Sequence, residues 1–386
     1  MEKVKLSSIC NIASGGTPAR SNSSYWKNGT IPWVKIGDIT DKFLSQTSEH
    51  ITQEGLNSSS AKLFSKGTIL YTIFATLGEV AILNIDATTN QAIAGICLND
   101  SRFTIQYLYY YLTSLKDYVN NIGRGVAQNN INLSILKNFE IPLRTLSEQE
   151  HIVESLTRVE QIIKHRRAQL AKLDELVKCR FVEMFGDCRS NPKQWGTKKL
   201  DEIASVGSSK RVFVEELIDG GIPFYRGTEV GALAEGQNIT PELFISESHY
   251  RELCKASGKP VKGDLLMPSI CPDGRIWIVD SDSPFYFKDG RVLWVHDIHE
   301  NFNPIFLQYS LKDRIISDYA SIASGTTFAE LKIFTLKSCK IFDVPLPLQD
   351  SFAIFVRHID KLRISVQAAL EKAQTLFDSL MQEYFG

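Results

Sequence analysis

The feature that most constrains this chain is an internal repeat. Lys5-Leu6-Ser7-Ser8-Ile9 returns as Lys199-Leu200-Asp201-Glu202-Ile203, and Gly29-Thr30-Ile31-Pro32-Trp33-Val34-Lys35 as Gly220-Gly221-Ile222-Pro223-Phe224-Tyr225-Arg226. Lys66-Gly67-Thr68-Ile69-Leu70 returns as Lys262-Gly263-Asp264-Leu265-Leu266, Ile141-Pro142-Leu143 as Val344-Pro345-Leu346, and Met184-Phe185-Gly186 as Tyr384-Phe385-Gly386. A chain of 386 residues built this way is two copies of one unit whose loops have changed length while the framework held.

Each copy has the same plan. A mixed segment comes first, with short β-rich runs such as Thr68–Ile73 and Trp277–Val279 set between Gly, Pro and Asn. It includes a short helix with aromatic content, Ile105 to Leu115 or Pro304 to Leu311. In the second copy Asn303-Pro304 reads as that helix's N-cap, with Pro at the first helical position. A Pro-bounded strand follows, then a long helix. The predicted divisions are 1–146 for the first mixed domain, 147–186 for the first long helix with a linker to 198, 199–347 for the second mixed domain, and 348–386 for the second long helix.

The long helices carry the clearest periodicity. In the second, Phe355, Ile359, Leu362, Val366, Ala369, Ala373, Leu376 and Leu380 step by fours and threes, a heptad seam. The first runs Ile152, Leu156, Val159, Ile163, Arg166, Leu170, Leu173, Val177, Arg180, Met184, with arginine at two core-type positions. Leu146-Ser147 with Glu150 offers an N-cap and a partner acid. Two seams in one chain are expected to pack on each other as an antiparallel pair. About 37 residues at about 1.5 Å each make a rod of about 55 Å, which spans roughly 16 base pairs at about 3.4 Å each.

Composition narrows the class. With 43% apolar and 23% charged residues the chain reads as a soluble globular protein. No apolar run has the length of a membrane span, and the N-terminus lacks the apolar core of a secretion signal. The seven cysteines are scattered, with no Cys-x-x-Cys, so a reducing, cytoplasmic setting is expected, without a structural zinc. The net charge of −1 conceals a gradient: residues 1–146 carry 13 Lys/Arg and 10 Asp/Glu, residues 187–347 carry 19 and 22. A DNA-binding role for such a chain requires local sorting of its cations or a partner that adds positive surface.

The sequence offers no coherent catalytic constellation. Asn303-Pro304-Ile305-Phe306 resembles the Asn-Pro-Pro-(Tyr/Phe) run of amino-methyltransferases, but its third position is wrong and its counterpart is Thr104-Ile105-Gln106-Tyr107. Gly15-Gly16 and Gly123-x-Gly125 lack the strand–Gly-x-Gly-x-x-Gly–helix frame of a nucleotide site. His296-Asp297-Ile298-His299 has no evident third metal ligand. No catalytic residue, metal site or resident cofactor is expected.

The remaining chemistry suits binding. The Gly-rich loop from Ser14 to Gly29 contributes Thr17, Arg20, Tyr25 and Lys27, and Lys35 lies just beyond it. A polar loop supplies Arg124, Gln128, Asn129 and Asn130; amide side chains pair bidentately with adenine and arginine with guanine. The second copy offers Lys210, Arg211, Tyr225, Arg226, Arg275, Thr326 and Thr327. Solvated turns would carry the same residue types. The divergence of these loops is what two different base readers would show.

These residues reach a known family. Gly15-Gly16-Thr17-Pro18 followed by Tyr25-Trp26, Ile31 through Ile39, Gly67-Thr68-Ile69-Leu70, Gly125 through Ile131, and Leu146-Ser147-Glu148-Gln149 with Ile152 together resemble the specificity subunits of type I restriction-modification systems, over essentially the whole chain. The resemblance implies an α+β architecture with two mixed α/β target-recognition domains, joined by two long antiparallel coiled-coil helices as a pseudo-two-fold internal repeat. It implies that each domain reads half of a bipartite site on double-stranded DNA. The helices would set the gap and dock two modification subunits, which would carry S-adenosylmethionine and adenine-N6 methylation; restriction subunits would join for cleavage. The second copy departs from the pattern: it has Pro223-Phe224-Tyr225-Arg226-Gly227, Thr326-Thr327-Phe328, and a helix start, Leu348-Gln349-Asp350-Ser351, read as lacking the Glu-Gln pair. The competing expectation is a bilobed protein–protein scaffold that binds no DNA, its coiled coil holding partners.

Overall fold

The computed structural model describes residues 2–123, 130–324 and 329–386. It divides into two compact units, one made of residues 1–167 with 368–386 and the other of 168–367. Each unit therefore takes one mixed domain together with pieces of both long helices.

In the first unit, Lys3–Lys5 pairs antiparallel with Glu140–Pro142 and ties the start of the domain to its end. A five-stranded sheet runs in the order Cys10–Ser14, Ile93–Leu98, Ile69–Thr72, Val80–Leu83, Phe43–Leu44. Strands Ile69–Thr72 and Val80–Leu83 are buried at every position, as expected for strands covered on both faces. A second sheet runs Glu49–Ile51, Ile31–Val34, Ala87–Thr89, Leu63–Phe64, with its two central strands parallel. Helix Ile105–Ser114 is capped by Thr104, whose hydroxyl accepts from the Tyr107 N–H, and it buries Tyr107, Leu108, Tyr110 and Leu112.

The second unit repeats the plan. Thr197–Lys199 pairs with Lys340–Phe342. One sheet runs Ser205–Gly207, Val292–His296, Leu265–Pro268, Trp277–Ile278, and the other Leu217–Ile218, Phe244–Ile245, Ile222–Tyr225, Tyr286–Phe287, the last pair again parallel. Asn303 caps the aromatic helix through the Ile305 N–H, with Pro at its first turn, but that helix reaches Ile322 rather than ending near Leu311. Helix Gly227–Ala234 follows the Ile222–Tyr225 strand where the first unit has only the 3-10 turn Ile36–Asp38.

The long helices are Leu146–Phe185 and Leu346–Phe385, 40 residues each. The first is capped two residues earlier than the sequence suggested. Thr145, not Ser147, forms the capping box: its N–H donates to Glu148 Oε2 at 2.8 Å while its hydroxyl accepts from the Glu148 N–H at 3.3 Å. In the first unit Val159 and Ile163 pack against Ala373, with Leu370, Phe377 and Leu380 beside them. Ile152 and Leu156 belong to the domain core, flanked by Phe377, Met381, Tyr384 and Phe385. Rising numbers on one helix meet falling numbers on the other, so the pair is antiparallel there. In the second unit Val177, Phe181 and Phe185 pack with Phe352, Val356 and Ile359 in the same sense, and Leu173 lies partly buried beside them.

The period of the second seam holds but its phase differs. Leu362 and Leu376 are 53% and 49% exposed. The residues turned inward are Phe352, Val356, Ile359, Arg363, Val366, Leu370, Ala373, Phe377, Leu380 and Tyr384, again spaced by fours and threes. Arg363 takes a core-type position because its guanidinium donates across the pair to Asp174 Oδ1 at 2.7 Å and also bonds Asp360. Choosing apolar residues alone passed over it and drew the seam onto Leu362. Phe355 and Leu170 are partly buried.

The copies also share a helix-start device built on a buried glutamine. Gln149 is fully buried, accepts from the Thr104 N–H at 2.9 Å, and donates to the carbonyls of Arg102 at 2.7 Å and Arg144 at 3.0 Å. Gln349, equally buried, accepts from the Asn303 N–H at 2.9 Å and donates to Asn301 at 3.0 Å and Val344 at 2.7 Å. The second copy thus keeps the glutamine and lacks only the glutamate, with Leu348 in its place.

Candidate nucleic-acid interface

The Gly-rich loop of the first unit passes from the five-stranded sheet to the second sheet. The Gly15 N–H donates to the Ile93 carbonyl at 3.1 Å and the Gly16 N–H to the Thr89 carbonyl at 2.9 Å. A Cβ on Gly16 would lie 2.4 Å from the Ser60 carbonyl carbon, so the loop follows this path only with glycine there. Trp33 Nε1 donates to the Gly16 carbonyl at 3.0 Å, and Trp26 meets Trp33 edge-on with ring centroids 5.0 Å apart.

Arg20 lies on this aromatic pair, its guanidinium carbon 3.7 Å from the Trp26 ring centroid and 4.7 Å from that of Trp33. Its Nη1 reaches Glu49 Oε2 at 2.5 Å, and Lys35 Nζ reaches the other oxygen, Oε1, at 2.6 Å. Glu49 sits opposite Trp33 in the antiparallel pair of strands. The hydrogen bonds from Arg20 and then Lys35 hold its carboxyl below the usual range. Tyr25 is partly buried and accepts from the Thr52 N–H at 2.9 Å through its carbonyl, whereas Lys27 is exposed.

Thr17 of the first loop and Asn130 at the end of the second are linked through residues of the sheet edge. Thr17 Oγ1 donates to Gln91 Oε1 at 2.5 Å. Next to Gln91, the Ala92 carbonyl accepts from the Ile73 N–H at 2.8 Å, and the following residue, Phe74, forms a β-bridge with Asn130. Thr17, Gln91, Phe74 and Asn130 therefore follow one another along a continuous border. Arg124, Gln128 and Asn129 lie outside the described residues. Sequence reasoning missed Gln91, Phe74 and Glu49. Asn90-Gln91 stands between two β runs and could have been flagged as a turn; Glu49 is tied to Arg20 only through strand register, which the sequence does not display.

In the second unit the corresponding border has different chemistry. The Leu331 N–H donates to the Ser269 carbonyl at 2.7 Å, as the Ile131 N–H does to Ile73 at 3.0 Å, so Glu330 stands where the first unit has Asn130. Glu330 bonds Arg291 and, at 3.0 Å, Lys332; the hydrogen bond from Lys332 leads in holding its carboxyl below the usual range. Lys210 is exposed, with its N–H donating to the Tyr286 hydroxyl at 3.0 Å. Arg211 pairs with Asp289 at 3.2 Å, Arg226 with Glu229 at 2.5 Å and Glu242 at 3.0 Å, and Arg275 with Asp273 at 2.9 Å and Glu235 at 3.6 Å. Tyr225 is less available than the sequence suggested: its ring stacks on Phe285 with centroids 5.1 Å apart and joins a buried cluster with Trp277. Thr326 and Thr327 lie outside the described residues. Exposed ion pairs such as these are worth about 0–1 kcal/mol, so a phosphate competes with them at little cost.

Known proteins place this architecture. The family model for the type I restriction modification DNA specificity domain matches residues 1–173 and again 192–373. The chain belongs to the family of type I restriction-modification specificity subunits. It is 26% identical to the type I restriction enzyme MjaIX specificity subunit of Methanocaldococcus jannaschii, over 98% of this chain and 90% of that one. It is 29% identical to the EcoprrI specificity subunit of Escherichia coli over 37% of this chain and 36% of the relative. In fold it resembles the S subunit of M. genitalium, with a TM-score of 0.57 and 16% identity, covering 100% of this chain and 96% of that one. A structure reported for complex assembly and conformational transition of the type I R-M system matches with a TM-score of 0.59 and 17% identity, covering 100% and 97%. Among the described residues no helix is long and apolar enough to cross a membrane.

Proposed function

We propose that this specificity subunit is a non-catalytic reader of bipartite double-stranded DNA. Each mixed domain reads one half-site in the major groove through the border that carries its variable loops. The long helices set the separation of the half-sites and dock two modification subunits. Those partners bind S-adenosylmethionine and perform adenine-N6 methylation, and restriction subunits join them for cleavage. The complex works in the cytoplasm.

The observation that carries this reading is one framework with two chemistries on its border. The first unit offers Thr17, Gln91 and Asn130, whose hydroxyl and amide groups suit base edges, adenine above all. The second offers Glu330 with Arg291 and Lys332 at the matching place, a set suited to other bases. Arg20, Lys27, Lys35, Lys210, Arg211, Arg226 and Arg275 are assigned to the phosphates and groove walls, which position the reader without specifying sequence.

The test is reconstitution with modification subunits of a type I system, followed by sequencing of methylated sites. The account expects one asymmetric, two-part site, and duplex binding that weakens steeply with salt. A partner-bound complex without salt-dependent duplex binding would instead make the chain a protein scaffold.

A further inference from the structure

Glu49 is shared between Arg20 and Lys35, as Glu330 of the second unit is between Arg291 and Lys332. The Glu49 carboxylate spans two cations from different segments, one oxygen to each, at 2.5 and 2.6 Å. The Arg20 guanidinium carbon lies 3.7 Å from the Trp26 ring centroid, a cation–π contact that restrains the side chain over the ring. The three side chains nevertheless remain in contact with solvent, with 51%, 39% and 29% of their surfaces exposed for Arg20, Lys35 and Glu49. A pair of cations converging on two oxygens of a single anion is the arrangement that binds a phosphodiester.

The second unit repeats part of this arrangement. Arg226 follows the strand Ile222–Tyr225 as Lys35 follows Ile31–Val34. It too is met by an acid from the segment leading into the neighbouring antiparallel strand, Glu242 at 3.0 Å. Loops nearby have diverged, yet the cation and its opposing carboxylate occur in both units.

Resting on the DNA-reading function, we infer that Glu49 occupies a phosphodiester-binding subsite made by Arg20 and Lys35, and that a DNA backbone phosphate replaces its carboxylate on binding. The carboxylate keeps the two cations poised and partly neutralised in the DNA-free chain. This lowers non-specific affinity for DNA, which depends on phosphate contacts.

The experiment uses the full chain reconstituted with its modification subunits and a fluorescent duplex lacking the recognition site, titrated over a range of salt concentrations. Glu49→Gln is expected to bind more tightly than wild type at low salt, with a slope of log K against log salt steeper by about 0.9 for one further ion released. Combining it with Lys35→Gln should cancel that gain. An E49Q complex that binds with unchanged slope, binds more weakly, or does not fold makes Glu49 a structural strut and overturns the inference alone. A wild-type complex that binds no duplex at any salt overturns the DNA-reading function and the inference with it.

Discussion

The side chain of Gln149 accepts a hydrogen bond from the backbone N–H of Thr104 at 2.9 Å and so couples the start of the first long helix to the cap of the aromatic helix. The same glutamine donates to the carbonyls of Arg102 and Arg144. Replacing it with leucine leaves one buried donor and two acceptors without partners. A loss of about 3 kcal/mol or more is expected, because three groups lose their partners and each unsatisfied buried group costs about 1–3 kcal/mol. Urea unfolding of Q149L and Q349L checks this, and the two variants should lose similar amounts because the device recurs.

The ends of the long helices are anchors. Phe185 is fully buried in the second unit against Phe306 and Phe352, with ring centroids 4.8 and 5.5 Å away. Phe385 packs in the first unit on Tyr107 and Tyr111, at 5.5 and 5.8 Å. Phe185→Ala should cost about 3–5 kcal/mol. Val182→Ala, at an exposed position nearby, should stay within about 0.5 kcal/mol.

The phase of the seam makes a sharper prediction. Ile359→Ala should destabilise by about 2–4 kcal/mol, since it empties a packed position. Leu362→Ser and Leu376→Ser should change stability by less than about 0.5 kcal/mol, since both side chains face solvent. Thermal or denaturant unfolding of the two leucine variants separates the two phases of the heptad, with Ile359, common to both, as the packed reference.

Stability should also depend on Asp264. It is buried and accepts from the Val261 N–H and from Trp294 Nε1, both at 2.9 Å, with His296 and Asp297 nearby. Burial outweighs those bonds and raises its pKa above the usual 3.8. The folded state therefore favours the protonated acid. Its stabilising contribution is complete below the unfolded value and is lost as pH rises through the raised folded value. Wild type should lose stability relative to Asp264→Asn as pH climbs from about 4 toward neutrality. Urea unfolding of both proteins across that range measures it.

The repeat made much of the fold legible, and the reason is physical. Framework motifs such as Ile31-Pro32-Trp33 and Ile222-Pro223-Phe224 are strands whose aromatic residue is buried in the core, so both copies keep the pattern. Heptad spacing showed that the long helices pair. It could not show their phase, because Arg363 satisfies a core-type position through Asp174 and Asp360 rather than through an apolar side chain. The role of Gln349 was not legible because its partners, Asn301, Asn303 and Val344, meet it only in the folded chain. At the candidate site the sequence supplied Thr17, Arg20, Lys35 and Asn130 but not Gln91, Phe74 or Glu49. Those three join the site through strand register and turn geometry, which link residues far apart in the chain.

The central claim is that one recognition domain reads one half of the DNA site. Exchanging residues 1–146 for the corresponding domain of another specificity subunit, reconstituting the methyltransferase complex and sequencing the methylated sites tests it most directly. The account predicts that one half-site changes while the other half-site and the spacing between them persist. A change in both halves, or in neither, would contradict it.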